Sequence, residues 1–135
     1  MISPTGHGVR GIDVWGQGRY GAPRDKGTRI HPGSDFVCIP GQDVVSPING
    51  VVVREKIPYA TPSKGILFGG LLIKNSDCEI TMFYFEPLRE VIKMPVAKGQ
   101  VIGTAQDIGL RYPGIIPHVH LEFTSINPEL FINLP

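Results

Sequence analysis

Ile116-Pro117-His118-Val119-His120-Leu121-Glu122-Phe123 places two histidines two positions apart, with apolar residues interleaved. Strand periodicity puts residues i and i+2 on one face. His118 and His120 therefore point the same way off a short strand, with Val119 and Leu121 turned inward. The chain holds only 4 histidines, so half of them fall in this tripeptide. Two adjacent imidazoles can bind a metal, or one can bind it while the other handles protons. By itself an HxH tripeptide has no metal specificity.

A second site upstream changes its meaning. His31-Pro32-Gly33-Ser34-Asp35 offers an imidazole and a carboxylate four residues on. Pro32 and Gly33 disfavour a helix, so the stretch reads as a turn running into a strand from Asp35 to Ile39. Together the two sites supply two histidines and one aspartate for zinc, a position left open for water, and one spare histidine. Three protein ligands and an open position make the catalytic zinc pattern.

The rest of the chain reads as short strands. With 17 glycines and 13 prolines in 135 residues, punctuation is too frequent for long helices. After the Pro40-Gly41 turn come strands over Val44–Ser46, Val51–Lys56, Ile66–Lys74 and Cys78–Phe85. Asn49-Gly50 carries the strongest short hairpin signal, and Gly69-Gly70 marks a bulge or the close approach of another backbone. Two extended pieces follow about the Lys98-Gly99 turn, and Gln106–Arg111 is the one helical turn before the HxH strand. Asn127 and Pro128 suit the start of a short terminal helix. Residues 1–28 read as an irregular arm, with a short strand near Gly11–Trp15 and an exposed His7, on a single domain spanning 1–135. Within it residues 29–123 form the core and 124–135 the tail.

Charge and composition exclude several classes. A formal net charge of +1 gives no basic surplus for nucleic acid. No apolar run approaches the roughly 18 residues of a membrane helix. The N-terminal residues Met1 to Gly6 lack the basic and apolar regions of a signal peptide, so the expectation is either a cytoplasmic start or a leader that is absent from this sequence. Cys38 and Cys78 are the only cysteines, each in an apolar stretch, which predicts buried free thiols away from the zinc site.

The order of these signals resembles the lysostaphin/LytM type of zinc metallopeptidase. That family's pattern is HxxxD, a strand pair around an Asn-Gly or Asp-Gly turn, a Lys-Gly-Gln/Asp turn before Ile-Gly, and HxH on a strand. Here these are His31 to Asp35, Asn49-Gly50-Val51-Val52, Lys98-Gly99-Gln100-Val101-Ile102-Gly103 and His118-Val119-His120, so the likeness covers about residues 29–123. Met82-Phe83-Tyr84 and Tyr112-Pro113-Gly114-Ile115 are also similar to one animal branch, the leukocyte cell-derived chemotaxins two. That branch is held by several disulfides, and two cysteines without visible partners point instead to a bacterial or phage relative.

The resemblance implies a mainly antiparallel β-sheet groove, duplicated-hybrid-motif-like, with zinc at its floor. It implies His31, Asp35 and His120 as zinc ligands and His118 as a catalytic histidine beside them. It further implies hydrolysis of peptide cross-links in peptidoglycan stems or bridges. A phage-borne protein would have virion or tail partners and a cell-wall destination. The family's active members carry another histidine in the middle strand. Here Thr81-Met82-Phe83-Tyr84-Phe85-Glu86-Pro87 has none, and Tyr84 or Phe85 takes its place. Strand alternation lets only one of the two face the groove. A groove-facing Tyr84 could donate a hydrogen bond to an oxyanion, leaving proton transfer to His118. The alternative function is a catalytically inactive zinc-binding module, either structural or holding a peptide or glycan.

Overall fold

Among the described residues, the β-branched and aromatic runs of the chain form eleven strands. The computed structural model describes residues 1–11 and 33–126, together with the backbone of two short strands, Pro23–Arg24 (β1) and Arg29–Ile30 (β2), which pair antiparallel. The remaining strands are Ser34–Val37 (β3), Asp43–Val45 (β4), Gly50–Glu55 (β5), Gly70–Lys74 (β6), Cys78–Phe83 (β7), Phe85–Pro87 (β8), Pro95–Val96 (β9), Val101–Ala105 (β10) and His118–Ile126 (β11). Six of them form an antiparallel sheet in the order β3-β11-β7-β6-β5-β9, and three form a second sheet, β4-β10-β8. Among the described residues two 3-10 turns lie between strands, Arg89–Val91 and Ile108–Leu110. The expected β architecture is therefore observed.

Alternation along the central strands separates core from groove. Val119 and Leu121 of β11, Ile80 and Met82 of β7, Leu71 and Ile73 of β6, and Val52 of β5 are all buried in one cluster. Val44, Phe85 and Ile102 of the smaller sheet join it. Fully burying side chains of this size contributes about 1.5–3 kcal/mol each. Residues directly opposite in a pair share a face. His120 lies opposite Asp35 on one side and Phe83 on the other, and Phe83 in turn lies opposite Gly70. A slip of one residue would turn the whole hydrophobic set outward, so the core pins the register of the histidines.

Two glycine signals are explained by close approach. A Cβ on Gly70 would overlap the Met82 carbonyl of the neighbouring strand, which confirms the reading of Gly69-Gly70 and starts β6 there rather than at Ile66. Asn49-Gly50 does not join a hairpin, in contrast to its sequence signal. β4 pairs with β10 and β5 with β6 and β9, so the turn carries the chain from one sheet to the other. Gly50 is needed because a Cβ there would stand 2.7 Å from the Lys74 carbonyl.

The first eleven residues lie along β3. Val37 donates to the Gly8 carbonyl, Arg10 N–H to the Asp35 carbonyl, and Thr5 Oγ1 to the Val37 carbonyl at 2.7 Å. This covers the outer edge of the larger sheet, an edge that would otherwise offer unpaired backbone groups. His7 is exposed, as expected. The short strand expected near Gly11–Trp15, beyond Gly11, and the terminal helix expected at Asn127 lie outside the described residues.

Candidate active site

β11 and its neighbour β3 bring Asp35, His118 and His120 together. Asp35 is 2%, His118 3% and His120 7% exposed, so three titratable groups share one dry spot. His120 Nδ1 lies 2.8 Å from Asp35 Oδ1, and its ring stacks on Phe83 at a centroid distance of 6.0 Å. Its other nitrogen, Nε2, lies 3.5 Å from Glu122 Oε1. Glu122 follows His120 by the same period of two that aligns the histidines, so the face reads His, His, Glu.

His118 is held differently. Its Nδ1 lies 2.7 Å from the Ile116 carbonyl, which can only accept, so that nitrogen carries the proton. Nε2 then keeps its lone pair, and it sits 3.5 Å from Asp35 Oδ2. Burial pushes the His118 imidazole below the usual histidine range, and the nearby Asp35 charge only partly opposes this. For His120, burial also acts downward, but the hydrogen bonds to Asp35 and Glu122 outweigh it and hold the ring up at about 9. Two histidines on one strand face are thus shifted in opposite directions, because burial prevails at His118 while two carboxylates in hydrogen-bond contact outweigh it at His120.

Arg10 is a site residue that no local pattern signals. Its guanidinium is buried and reaches Asp35 Oδ2 through Nη2 at 3.2 Å and Nε at 3.4 Å. It arrives from a glycine-rich stretch twenty-five positions away, carried by the backbone pairing along β3. The carboxylate is held at both oxygens, Oδ2 by Arg10 and Oδ1 by His120.

Tyr84 faces the site, and Phe85 fills the core. The alternative left open between them is settled by a break in the strand: β7 ends at Phe83, β8 starts at Phe85, and Tyr84 has φ +81°. A tyrosine in the left-handed region is uncommon and costs energy that the surroundings must supply. Three hydrogen bonds close a ring around it: Tyr84 N–H to the Gly69 carbonyl, Gly69 N–H to Gln106 Oε1, and Gln106 N–H to the Tyr84 carbonyl. The Tyr84 ring meets His118 edge-on at 5.3 Å. Burial raises its phenol to about 12 despite a hydrogen bond with Tyr59 that acts the other way.

His31 lies outside the described residues. Among the described residues no group of three His, Cys, Asp or Glu side chains is arranged to hold a metal ion. Two of the expected ligands lie beside each other. Asp35 Oδ1 and His120 Nδ1 are in direct hydrogen-bond contact at 2.8 Å, with Glu122 on the far nitrogen of the imidazole. A carboxylate behind a ligating histidine is the usual support of such a site. Cys38 is buried and Cys78 only half-buried, both as free thiols, so the expectation of burial holds fully for Cys38 alone. Burial is what pushes the Cys38 thiol up to about 11, with Asp107 adding to it.

Comparison with known proteins places this arrangement. Leukocyte cell-derived chemotaxin-2 of Mus musculus is 32% identical over 120 residues, covering 89% of this chain and 76% of that protein. The protein of the same name from Bos taurus is 32% identical over 125 residues, covering 92% and 79%. This chain belongs to the leukocyte cell-derived chemotaxin-2 family. Myeloid protein 1 of Gallus gallus is also 32% identical, over 89% of this chain and 36% of its own length. No protein-family model matches.

Among solved structures, the fold of this chemotaxin-2 family member is that of lysostaphin. The solution structure of lysostaphin matches with a TM-score of 0.57 at 22% identity, covering 91% of this chain and 49% of that one. The catalytic domain of the antimicrobial peptidase lysostaphin from Staphylococcus simulans matches with a TM-score of 0.52 at 21% identity, covering 90% and 92%. The chain thus joins a chemotaxin-2 sequence to a peptidase fold, with no helix among the described residues long and apolar enough to cross a membrane.

Proposed function

We propose that this chain is a zinc-dependent endopeptidase-like domain acting on peptide cross-links of bacterial peptidoglycan. Asp35 and His120 would hold the metal, with His31 as the third ligand. A zinc ion there would lower the pKa of a bound water toward about 7 and polarise the scissile carbonyl. The observation that carries the reading is the tautomer of His118. Its Nδ1–H is committed to the Ile116 carbonyl, so an unprotonated Nε2 faces the carboxylate of Asp35 at 3.5 Å. Burial keeps that nitrogen free of a proton, which suits a general base. Tyr84, neutral with its phenol at about 12, would donate a hydrogen bond to the oxyanion. The phage or lysis setting that brings such a domain to the wall belongs to the same proposal.

One observation favours a second reading. Tyr84 stands where the lysostaphin type carries a histidine, and a phenol at about 12 does not exchange protons near neutral pH. The relatives bear the name chemotaxin, a signalling name rather than an enzymatic one. On this reading the groove binds a peptide or glycan without cutting it. Zymography on purified cell walls, with and without chelator, for the parent and for His118→Ala separates the two. Hydrolysis that chelator and His118→Ala both abolish supports the enzyme. Full zinc loading with no fragments released from any wall type leaves the binding module.

A further inference from the structure

A chain of hydroxyls runs from the groove wall to Tyr84. Tyr59 Oη lies 3.1 Å from Tyr84 Oη and 3.0 Å from Tyr112 Oη. Arg111 Nε lies 3.3 Å from Tyr112 Oη, and its guanidinium carbon sits 3.7 Å over the Tyr59 ring. Arg111 also reaches Ser63 Oγ at 3.3 Å, tying the Arg111–Tyr112 loop to the 57–68 loop that carries Tyr59. Two loops fifty residues apart in sequence are thus joined through phenols.

The end of this chain gives it a direction. A guanidinium can only donate, so Tyr112 accepts at the Arg111 end. The sense that leaves Tyr84 a proton to give is Arg111 to Tyr112, Tyr112 to Tyr59, and Tyr59 to Tyr84. Tyr84 then accepts from Tyr59 and has its own proton left to give. The guanidinium over the Tyr59 ring holds that ring in place, and hydrogen bonds in series polarise one another. The backbone at Tyr84 is fixed independently, by the ring of three bonds through Gly69 and Gln106. A strained residue held at both its backbone and its hydroxyl, edge-on to His118, has one degree of freedom removed at each end.

We propose that Tyr59 is a positioning residue, which with Tyr112 and Arg111 fixes the Tyr84 hydroxyl as a donor to an anionic oxygen of a ligand in the groove. This rests on the reading of Tyr84 as an oxyanion donor and extends it to the ligand class: the Tyr84 end of the groove takes a carboxylate, tetrahedral oxyanion or similar group. Tyr59 acts only through Tyr84, so its effect disappears when the Tyr84 hydroxyl is gone.

A double-mutant cycle tests this. The full zinc-loaded chain is titrated with inorganic phosphate by calorimetry, as parent, Tyr59→Phe, Tyr84→Phe and the double variant. Each single variant is expected to bind phosphate about tenfold more weakly, as for one lost hydrogen bond to a charged group, with zinc content and melting temperature kept. The double variant should be no weaker than Tyr84→Phe alone. Arg111→Gln, at an exposed position, should lose a few-fold in affinity in the parent and nothing in the Tyr84→Phe background. No phosphate binding by the parent, no loss in Tyr59→Phe, or the same loss with and without the Tyr84 hydroxyl overturns the proposal. Wall hydrolysis is measured in parallel. A non-additive cycle without hydrolysis ends the enzyme reading and keeps this one, whereas hydrolysis with an additive cycle ends this one alone.

Discussion

Arg10 and Asp35 form an ion pair in which the two side chains are 2% and 3% exposed. A charge pair so fully removed from water depends on both partners: taking Arg10 away removes the guanidinium from Asp35 Oδ2 inside the protein. The pair also leaves Asp35 with one oxygen turned to Arg10 and the other to His120. It therefore couples the N-terminal segment to the site.

Arg10→Met is expected to destabilise the protein by about 3–5 kcal/mol, the range for breaking a buried ion pair from one side. Urea unfolding of the metal-free protein measures it. Arg10→Lys should lose less, because the charge is kept and only the forked contact goes. Equal stability of Arg10→Met and parent would show that the pair contributes nothing.

Metal loading separates the roles of the two histidines. We expect about one zinc per parent chain, and loss of it in Asp35→Ala and in His120→Ala. His118→Ala should keep its zinc and lose hydrolysis by roughly 100- to 10,000-fold, the span of a general base. Elemental analysis beside wall-release assays on the same preparations checks both. Parent-like zinc in Asp35→Ala removes it as a necessary ligand.

The metal-free protein should lose stability as pH rises through the range of His120. Its pKa is raised from 6.5 to about 9 in the folded state, so its contribution is fully present below about 6.5 and is lost as pH climbs through about 9. The shift corresponds to about 3 kcal/mol as an order of magnitude. Melting temperature between pH 6.5 and 9.5, in parent and in His120→Gln, reads it out. The alkaline decline should be shallower in the variant, and parallel curves would count against it.

The two thiols should label at different rates. Cys78 is half-buried at the start of β7, and Cys38 is 4% exposed with its thiol raised to about 11. With a thiol reagent in native buffer, one group per chain should react within the time that Cys38 needs unfolding to react. Two groups reacting together in the native state would contradict this.

Gly70→Ala tests the packing beneath the site. Its Cβ would overlap the Met82 carbonyl, so strands β6 and β7 must part. A loss of about 1–3 kcal/mol is expected, as for overpacked positions. The shift in urea midpoint measures it, and an unchanged midpoint would mean that the strands separate freely.

Strand alternation alone was enough to place His118 and His120 on one face and Val119 and Leu121 on the other. That rule needs only the neighbours of each residue, because successive side chains of an extended backbone point opposite ways. The Gly69-Gly70 approach was legible for a similar reason: a strand with no side chain admits another backbone. The Asn49-Gly50 signal misled, because whether a turn closes a hairpin or changes sheets depends on where Val44 and Val52 find their partners. Tyr84 against Phe85 was undecided in the sequence, since a break in the strand resets the alternation that would have chosen between them. Arg10, Tyr59, Tyr112 and Arg111 had no local signature at all. They reach the site from loops and from a segment beside β3, brought there by pairing between distant strands and by hydrogen bonds spanning 25 to 53 positions. Local chemistry, repeated every two residues, determined which side chains could act together on one strand. The partners that charge, tilt and orient them were decided by long-range pairing, whose energy comes from burying a shared core rather than from any short stretch of the chain.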